Sequence, residues 1–401
     1  MGEKLVDDSH VTRQIVLVHL SDLHFGGKHR FNPEPTPRGD IPVREGYPTL
    51  FDKLREDLGG QDPGCPVAIC ITGDLTTAAS FAEYAEAERF IRNLSASRVY
   101  GKQRPFSSIF FNVPGNHDVI YDKSTIPERL ATFAQFLSGL TGTHMDPANP
   151  WDWPLLYDCT ADLGLIVVCI SSSIYVEKGK PDQDRGHVDV KQLARIKREL
   201  EAVEPERLHN SIRIALMHHH PVLIPALAEP GRGYDAVHNS GKLLAILRKF
   251  GFHMVLHGHK HDPHVFTEDS RSAFRTTHHN PILIAAGGSV GSTDLLKNRW
   301  NSYNRISIKW HPAAGQARIL IETVGLSVTD EDSNELLPSE WAWRVLRRED
   351  LHFLRGECVL PSPAVLRGSA STPTRSAFWI RVWRSMHDSE ETCCVSTFDH
   401  P

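Results

Sequence analysis

The chain has no apolar run long enough to cross a bilayer. Its first such run, Ile15 to Leu20, is too short even for the core of a signal peptide and is better used as a strand. Val at position 6 breaks the myristoylation pattern and no prenylation box closes the sequence, so no membrane attachment is expected. Paired cysteines are missing as well. The seven cysteines, Cys65, Cys70, Cys159, Cys169, Cys358, Cys393 and Cys394, contain no CxxC spacing and sit mostly in apolar runs. That is the usage of reduced thiols in a cytoplasmic protein. Basic excess is also absent: 44 Lys and Arg against 49 Asp and Glu give a formal net charge of −5. This argues against tight nucleic-acid binding driven by phosphate neutralisation. No internal repeat is visible.

What is present suffices for a large core, since 40% of the 401 residues are hydrophobic. Short β-branched runs alternate with longer stretches of helical period, the pattern of an α/β protein. Strands are expected at Ile15–Leu20, Val67–Ile71, Ile109–Val113, Leu165–Ile170, Ile212–Met217, Met254–Leu256 and Ile282–Ala286. Helices are expected at Tyr47–Leu58, Phe81–Leu94, Pro127–Leu140, Val190–Val203 and Gly241–Phe250. Arg305–Trp310 and Ala317–Val324 alternate apolar with polar residues and read as an antiparallel pair closing a second sheet. These elements define a domain over 12–326.

Residues 327–401 change character: an acidic turn (Asp330, Glu331, Asp332), then Trp341 and Trp343, then a Ser/Thr/Pro segment from Pro361 to Thr374. This reads as an appendage, partly ordered by its aromatics, that offers an oligomer or partner contact. The Gly- and Pro-rich segment between Phe25 and Tyr47 is either a substrate-facing lid or a solvated insertion.

Five segments of polar ligand types stand directly behind expected strands. They are Asp22-Leu23-His24, Gly73-Asp74, Gly115-Asn116-His117-Asp118, His218-His219-His220 and Gly258-His259-Lys260-His261. Taken singly each is weak: Asp-x-His is commonly a cap or turn, Gly-Asp a turn, and three adjacent histidines can be coincidence in a chain with 23. Together they carry complementary chemistry. Parallel strands present such residues at their carboxyl ends, where distant parts of the chain can converge. Asp and His suit a divalent transition metal, a carboxylate after Gly can bridge two cations, and the Asn carbonyl adds a neutral ligand.

This ordered set resembles the calcineurin-like metallophosphoesterases from about Ile15 to Ala286. The resemblance implies a four-layer α/β/β/α sandwich with a dinuclear centre at the strand carboxyl ends. It implies that Asp22, His24 and His261 hold one metal and Asn116, His218 and His259 the other, with Asp74 bridging. His218 is favoured by the end of the apolar strand, whereas a count back from Pro221 favours His219. His117 would not be a ligand but would lie by the leaving-group oxygen as general acid, and Asp118 would orient it or cap the following turn. Mixed His and carboxylate ligation favours Mn, Fe or Zn over Mg, and these over Ca.

The chemistry implied is attack on phosphorus by a metal-bridging hydroxide with protonation of the departing alkoxide. Small phosphodiesters are the expected substrates. The Asp22-Leu23-His24 and Leu256-His257-Gly258-His259-Lys260-His261 motifs are most similar to the bacterial cyclic-nucleotide phosphodiesterase branch. A nuclease of the same fold and a catalytically silent protein-binding scaffold are the competing readings; the acidic balance weighs against the first and the complete motif set against the second. His278 and His279 read as strand and turn more than as pocket lining. Arg271 and Arg275 are either phosphate contacts or a solvated hairpin, and Cys393-Cys394 lies in an end expected to be disordered.

Overall fold

The computed structural model describes residues 12–34, 43–59, 64–96, 110–177, 179–180, 185–223, 236–269, 281–295, 300–312, 315–329, 334–354 and 357–359. The chain divides at Leu360, and no residue of the second unit, Pro361–Pro401, is among those described. Arg271, Arg275, His278, His279, Cys393 and Cys394 also lie outside the described residues.

Thirteen strands are described, in two sheets. The first sheet runs in the order β13 (Glu357–Val359), β12 (Ala342–Leu354), β11 (Gln316–Ser327), β10 (Ser302–His311), β1 (Arg13–Leu20), β2 (Val67–Ile71), β3 (Phe110–Asn112). The second runs β4 (Leu156–Cys159), β5 (Leu165–Cys169), β6 (Ile212–Leu216), β7 (Met254–His257), β9 (Ile282–Ala286), β8 (Val265–Glu268). β1, β2 and β3 are parallel, as are β5, β6, β7 and β9.

The period of two along each strand explains the layers. On β1, Ile15 and Leu17 enter a core shared with the second sheet, while Val18 and Leu20 face the helix side. On β5, Leu165 and Val167 join that same inter-sheet core, and Ile166 and Val168 face the opposite way. Helices α1 (Leu50–Gly59), α2 (Phe81–Ala96) and α3 (Ile126–Thr141) cover the outer face of the first sheet. α4 (Val190–Ala202) and α6 (Ser240–Lys249) cover the second, with the short α5 (Pro205–His209) between them in sequence. The α/β/β/α sandwich follows because every strand of the two parallel sets buries both faces.

Local signals fix individual elements. The Thr125 hydroxyl accepts from the Glu128 N–H at 3.4 Å, and the Glu128 carboxylate returns to the Thr125 N–H at 3.2 Å. This capping box, with Pro127 in the first turn and Gly142 left-handed at φ 71°, sets both ends of α3.

Two features differ from the sequence reading. The pair Arg305–Trp310 and Ala317–Val324 is antiparallel, but it extends the first sheet, with β10 lying against β1 in the register Ile15↔Ile308 and His19↔Asn304. Alternation alone gives the facing of a strand, not its neighbour, and Ile306 and Ile308 fit the inter-sheet core beside Ile15 and Leu17. The second difference is that the stretch set apart after Leu326 supplies β12, paired with β11 along its length. Its sequence is rich in charge because one face is ionic: Arg318 meets Asp350, and Arg348 meets Glu322.

Trp341 is buried edge-on against Phe31 and Tyr47, with centroids 6.1 and 5.4 Å away, and the Trp343 indole N–H donates to the Lys53 carbonyl at 3.0 Å. The segment after β1 is packed around His29, Phe31, Asn32 and Glu34, all buried, and exposed at Gly27, Lys28 and again from Val43 to Gly46. Residues 35–42 lie outside the described set.

His29 has a measurable consequence. Its Nδ1–H donates to the Leu23 carbonyl at 2.8 Å, and burial pushes its pKa down from 6.5 to about 3. The unfolded imidazole takes up its proton near 6.5 and the folded one only near 3, so the linked stability is complete above about 6.5 and is lost as pH falls through that interval. In metal-free protein, His29→Gln should reduce the loss of unfolding free energy between pH 7.5 and 5.0 by about 2 kcal/mol in urea titrations. Parallel declines in variant and wild type would contradict this.

Candidate metal centre

The five polar segments emerge from the carboxyl ends of β1, β2, β3, β6 and β7. Their backbones are unusual. Seven described residues other than glycine have positive φ, and five are Asp22 (53°), His24 (51°), Asp74 (52°), His259 (82°) and His261 (54°). A left-handed conformation at a non-glycine residue costs on the order of 1–3 kcal/mol and persists only where the surroundings over-determine it. Here the chain leaving β1, β2 and β7 turns within a few residues at the sheet edge.

The glycines permit the crossing of these turns. Gly73 is left-handed at φ 90°, and a Cβ there would lie 2.6 Å from the Gly115 nitrogen and 2.7 Å from His218 Nδ1. A Cβ on Gly258 would lie 1.8 Å from Ser21 Oγ and 2.5 Å from Asp22 Oδ2. Neither position has room for a side chain.

The side chains converge in two lobes. In the first, His24 Nε2 and His261 Nε2 are 3.2 Å apart, and Asp22 Oδ1 is 3.2 Å from His261 Nε2 and 3.9 Å from His24 Nε2. In the second, Asn116 Oδ1 is 3.0 Å from both His218 Nε2 and His259 Nδ1. Asp74 lies between them, its Oδ2 3.8 Å from His24 Nε2 and 3.4 Å from His218 Nε2. All seven expected ligands are therefore brought together.

Of the two candidate histidines, His218 faces Asp74 and Asn116, while His219 Nδ1 turns to Ser172 Oγ at 2.8 Å. The His218 Nδ1–H donates to the Thr72 carbonyl at 2.7 Å, which leaves the Nε2 lone pair directed into the site.

The donor set fits a cation. Asp22 Oδ1 is buried and makes no well-aligned hydrogen bond, its near neighbour being the His261 ring, and ligand atoms sit at contact distance across both lobes. Without a cation, the carboxylates hold protons on the imidazoles. Burial works against the charged form of His218, but Asp74 and Asp22 outweigh it and raise its pKa to about 9. His261 is raised likewise by Asp22 against its burial. Burial pushes Asp74 upward, yet the imidazoles of His218 and His117 hold it well below the usual carboxylate range. Burial dominates at His24, lowering it to about 4. A divalent cation satisfies the same demand for positive charge and displaces those protons.

His117 stands beside the lobes with its own fastening. Its main-chain N–H donates to Asp74 Oδ1 at 2.7 Å, its Nδ1 lies 2.9 Å from the Thr77 carbonyl, and its ring is 5.0 Å from that of His24. Geometry alone also allows His24, Asp74 and His117 to share an ion.

The Asp118 carboxylate does not reach the His117 ring. It accepts the main-chain N–H groups of Gly115, Leu75 and Thr76 and the Thr76 hydroxyl, at 2.9–3.2 Å. Of the two roles open to it, orienting the histidine or holding a turn, its bonds serve the second by tying the loops after β2 and β3 together. Burial and the nearby Asp74 charge raise its pKa to about 6 despite these donors. Sequence reasoning did not single out the Thr72 and Thr77 carbonyls, or Tyr121, whose hydroxyl accepts from Asn116 Nδ2 at 3.0 Å. Carbonyls have no sequence signature, and Tyr121 looks like any turn residue.

A sequence profile of the calcineurin-like phosphoesterase family matches residues 15–263, more than half of the chain. The chain belongs to that family. This phosphoesterase is thus a metal-dependent hydrolase of phosphoesters; its family uses a dinuclear divalent centre, and the site just described contains clusters of residues that could hold a metal ion. No curated protein matches the chain.

Among solved structures, phosphopantetheinyl hydrolase PptH from Mycobacterium tuberculosis aligns at 12% identity and TM-score 0.37, over 70% of this chain and 91% of that one. The Thermus thermophilus sulfate thiohydrolase SoxB aligns at 15% and 0.35, over 94% and 61%. Wild-type Vps29 from Entamoeba histolytica complexed with zinc aligns at 12% and 0.31, over 84% and 98%. At such TM-scores these likenesses have no bearing on activity. Among the described residues no helix is long and apolar enough to cross a membrane.

Loading the phosphoesterase with Mn should release protons, because His218 remains protonated up to about pH 9 without a cation. Apparent affinity should therefore rise with pH from 6 to 9. Calorimetry in buffers of different ionisation enthalpy measures the release; equal heats in all buffers would contradict it.

Proposed function

We propose that this phosphoesterase hydrolyses phosphodiesters and that His117 is the general acid. Asp22, His24 and His261 would hold one cation and Asn116, His218 and His259 the second, with Asp74 between them. Bound there, the two cations supply an activated water nucleophile and polarise the phosphoryl oxygens.

The observation that carries the reading is how His117 is held. Its backbone is fixed to the Asp74 carboxylate and its Nδ1 to the Thr77 carbonyl, so Nε2 is the nitrogen left for substrate. With Nδ1–H on a carbonyl, the imidazolium form presents its Nε2–H to a departing oxygen and can deliver that proton to it. Such help matters most where the leaving group is a poor one, as in a sugar alkoxide. That favours diesters of alcohols over activated monoesters, and 3′,5′-cyclic nucleotides meet the description while remaining small enough for a site between loops. The formal net charge of −5 weighs against long nucleic-acid substrates.

The test is a substrate series assayed with Mn: 3′,5′-cyclic AMP, an aryl phosphodiester, an aryl phosphomonoester and single-stranded DNA. The cyclic diester should be turned over and the DNA left intact. His117→Ala should retain both metals but lower kcat on cyclic AMP by about 10²-fold or more, with a smaller loss on the aryl diester, whose phenolate leaves without a proton. Asn116→Ala should instead lose metal, read by elemental analysis. Equal losses in His117→Ala for both leaving groups would remove the acid role.

A further inference from the structure

A second cavity lies at the opposite ends of the strands. It has a volume of about 600 Å³, within the usual range for small-molecule sites, and is lined by the residues that open β6, β7, β9 and β11 and close β10. The metal centre is a strand length away, on the order of 15 Å.

The lining has an unusual balance of charge. It contains Arg213, Lys249 and three histidines, and no aspartate or glutamate among the described residues. Arg213 is the most telling member. Its Nη1 donates to the Leu208 carbonyl at the end of α5, but its Nε is buried with no acceptor. Among the described residues no carboxylate offsets its burial, which pushes its pKa down to about 10. Removing a guanidinium from water without an anion opposite is costly, and folded proteins rarely keep one so. Lys249 sits over the Phe250 ring at 5.0 Å, and its ammonium meets Glu201, a partner outside the cavity. The other walls are aromatic: Phe252, Trp310 and Phe353.

We propose that this cavity binds an organic anion, with a phosphate, sulfate or carboxylate head on Arg213 and Lys249 and a flat apolar body among Phe250, Phe252, Trp310 and Phe353. The guanidinium offers directed N–H donors to an oxyanion, and the aromatic residues, of which Phe252, Trp310 and Phe353 are largely buried, make the rest of the wall apolar. Neither the metal centre nor the proposed reaction uses any of these residues, so the site would stand even if the substrate reading failed.

Naphthalene-1-sulfonate is a suitable probe because it has the head and body but no bond for a phosphoesterase to cleave. Calorimetric titration of the Mn-loaded full chain should give one site, with 1-naphthylmethanol and inorganic sulfate each binding at least tenfold more weakly. Arg213→Met should weaken the sulfonate tenfold or more without lowering the melting temperature, since it removes a buried unpaired charge. Lys249→Glu, a change at an exposed position, should do the same should Arg213→Met fold poorly. Asn116→Ala should leave sulfonate binding intact. Binding that survives Lys249→Glu, that the neutral alcohol matches, or that disappears in Asn116→Ala would overturn the proposal, as would no binding to wild type.

Discussion

Two carboxylates, Asp22 and Asp74, are buried side by side at the edge of a hydrophobic sandwich, and much of the architecture near them answers that fact. Charge of one sign at such depth is tolerable only when opposite charge or directed donors are brought to it. The chain brings both. The main-chain N–H groups of His259 and His117 donate to Asp22 Oδ2 and Asp74 Oδ1, and three imidazoles, His24, His218 and His261, from the ends of three different strands gather on the remaining oxygens. Two parallel sheets are an economical way to do this, because they deliver several strand ends to one edge from positions more than two hundred residues apart.

The cost of the arrangement is paid in backbone conformation. The ends of β1, β2 and β7 turn sharply, and the left-handed residues there are mostly the ligand types themselves, joined by Gly73. The glycines serve mainly as clearance, letting one loop pass within contact of the next. Asp118 makes the system stiff: with its carboxylate spanning the loops after β2 and β3, Asp74 and His117 cannot shift independently. Preorganisation of this kind keeps ligands close in spite of their mutual repulsion and strain.

Much of this was legible in the sequence, for identifiable reasons. Strands such as Val67–Ile71 and Ile282–Ala286 are short runs of β-branched and apolar residues bounded by turn signals, and both lie where expected. The ligand types were visible because five polar segments each follow such a run. Pairing between strands was not legible. The polar and apolar alternation of Ser302–His311 is equally compatible with either sheet, and only three-dimensional packing places it beside Arg13–Leu20. The strand Ala342–Leu354 was obscured because its ionic pairs with β11 make it read as solvated. Left-handed φ at Asp22, His24 and Asp74 is only weakly signalled by residue type, since Asp and His tolerate that conformation more than most side chains but do not require it. The cavity around Arg213 escaped notice for a similar reason: an arginine in a strand looks exposed until its surroundings are assembled.

The packing of Trp341 and Trp343 bears on how the chain can fold as it is made. Trp343 bonds to Lys53 across 290 residues, and His19 on β1 meets Asn304 across 285. The strand carrying the first two ligand types therefore has no partner on one side until most of the polypeptide has been synthesised. Loops that long are closed late and at an entropic cost, so the first sheet is completed from its ends in sequence toward its middle in space. An emerging chain would expose the β1 edge for most of its synthesis, which makes that edge the place where a chaperone or a misplaced strand would first find purchase.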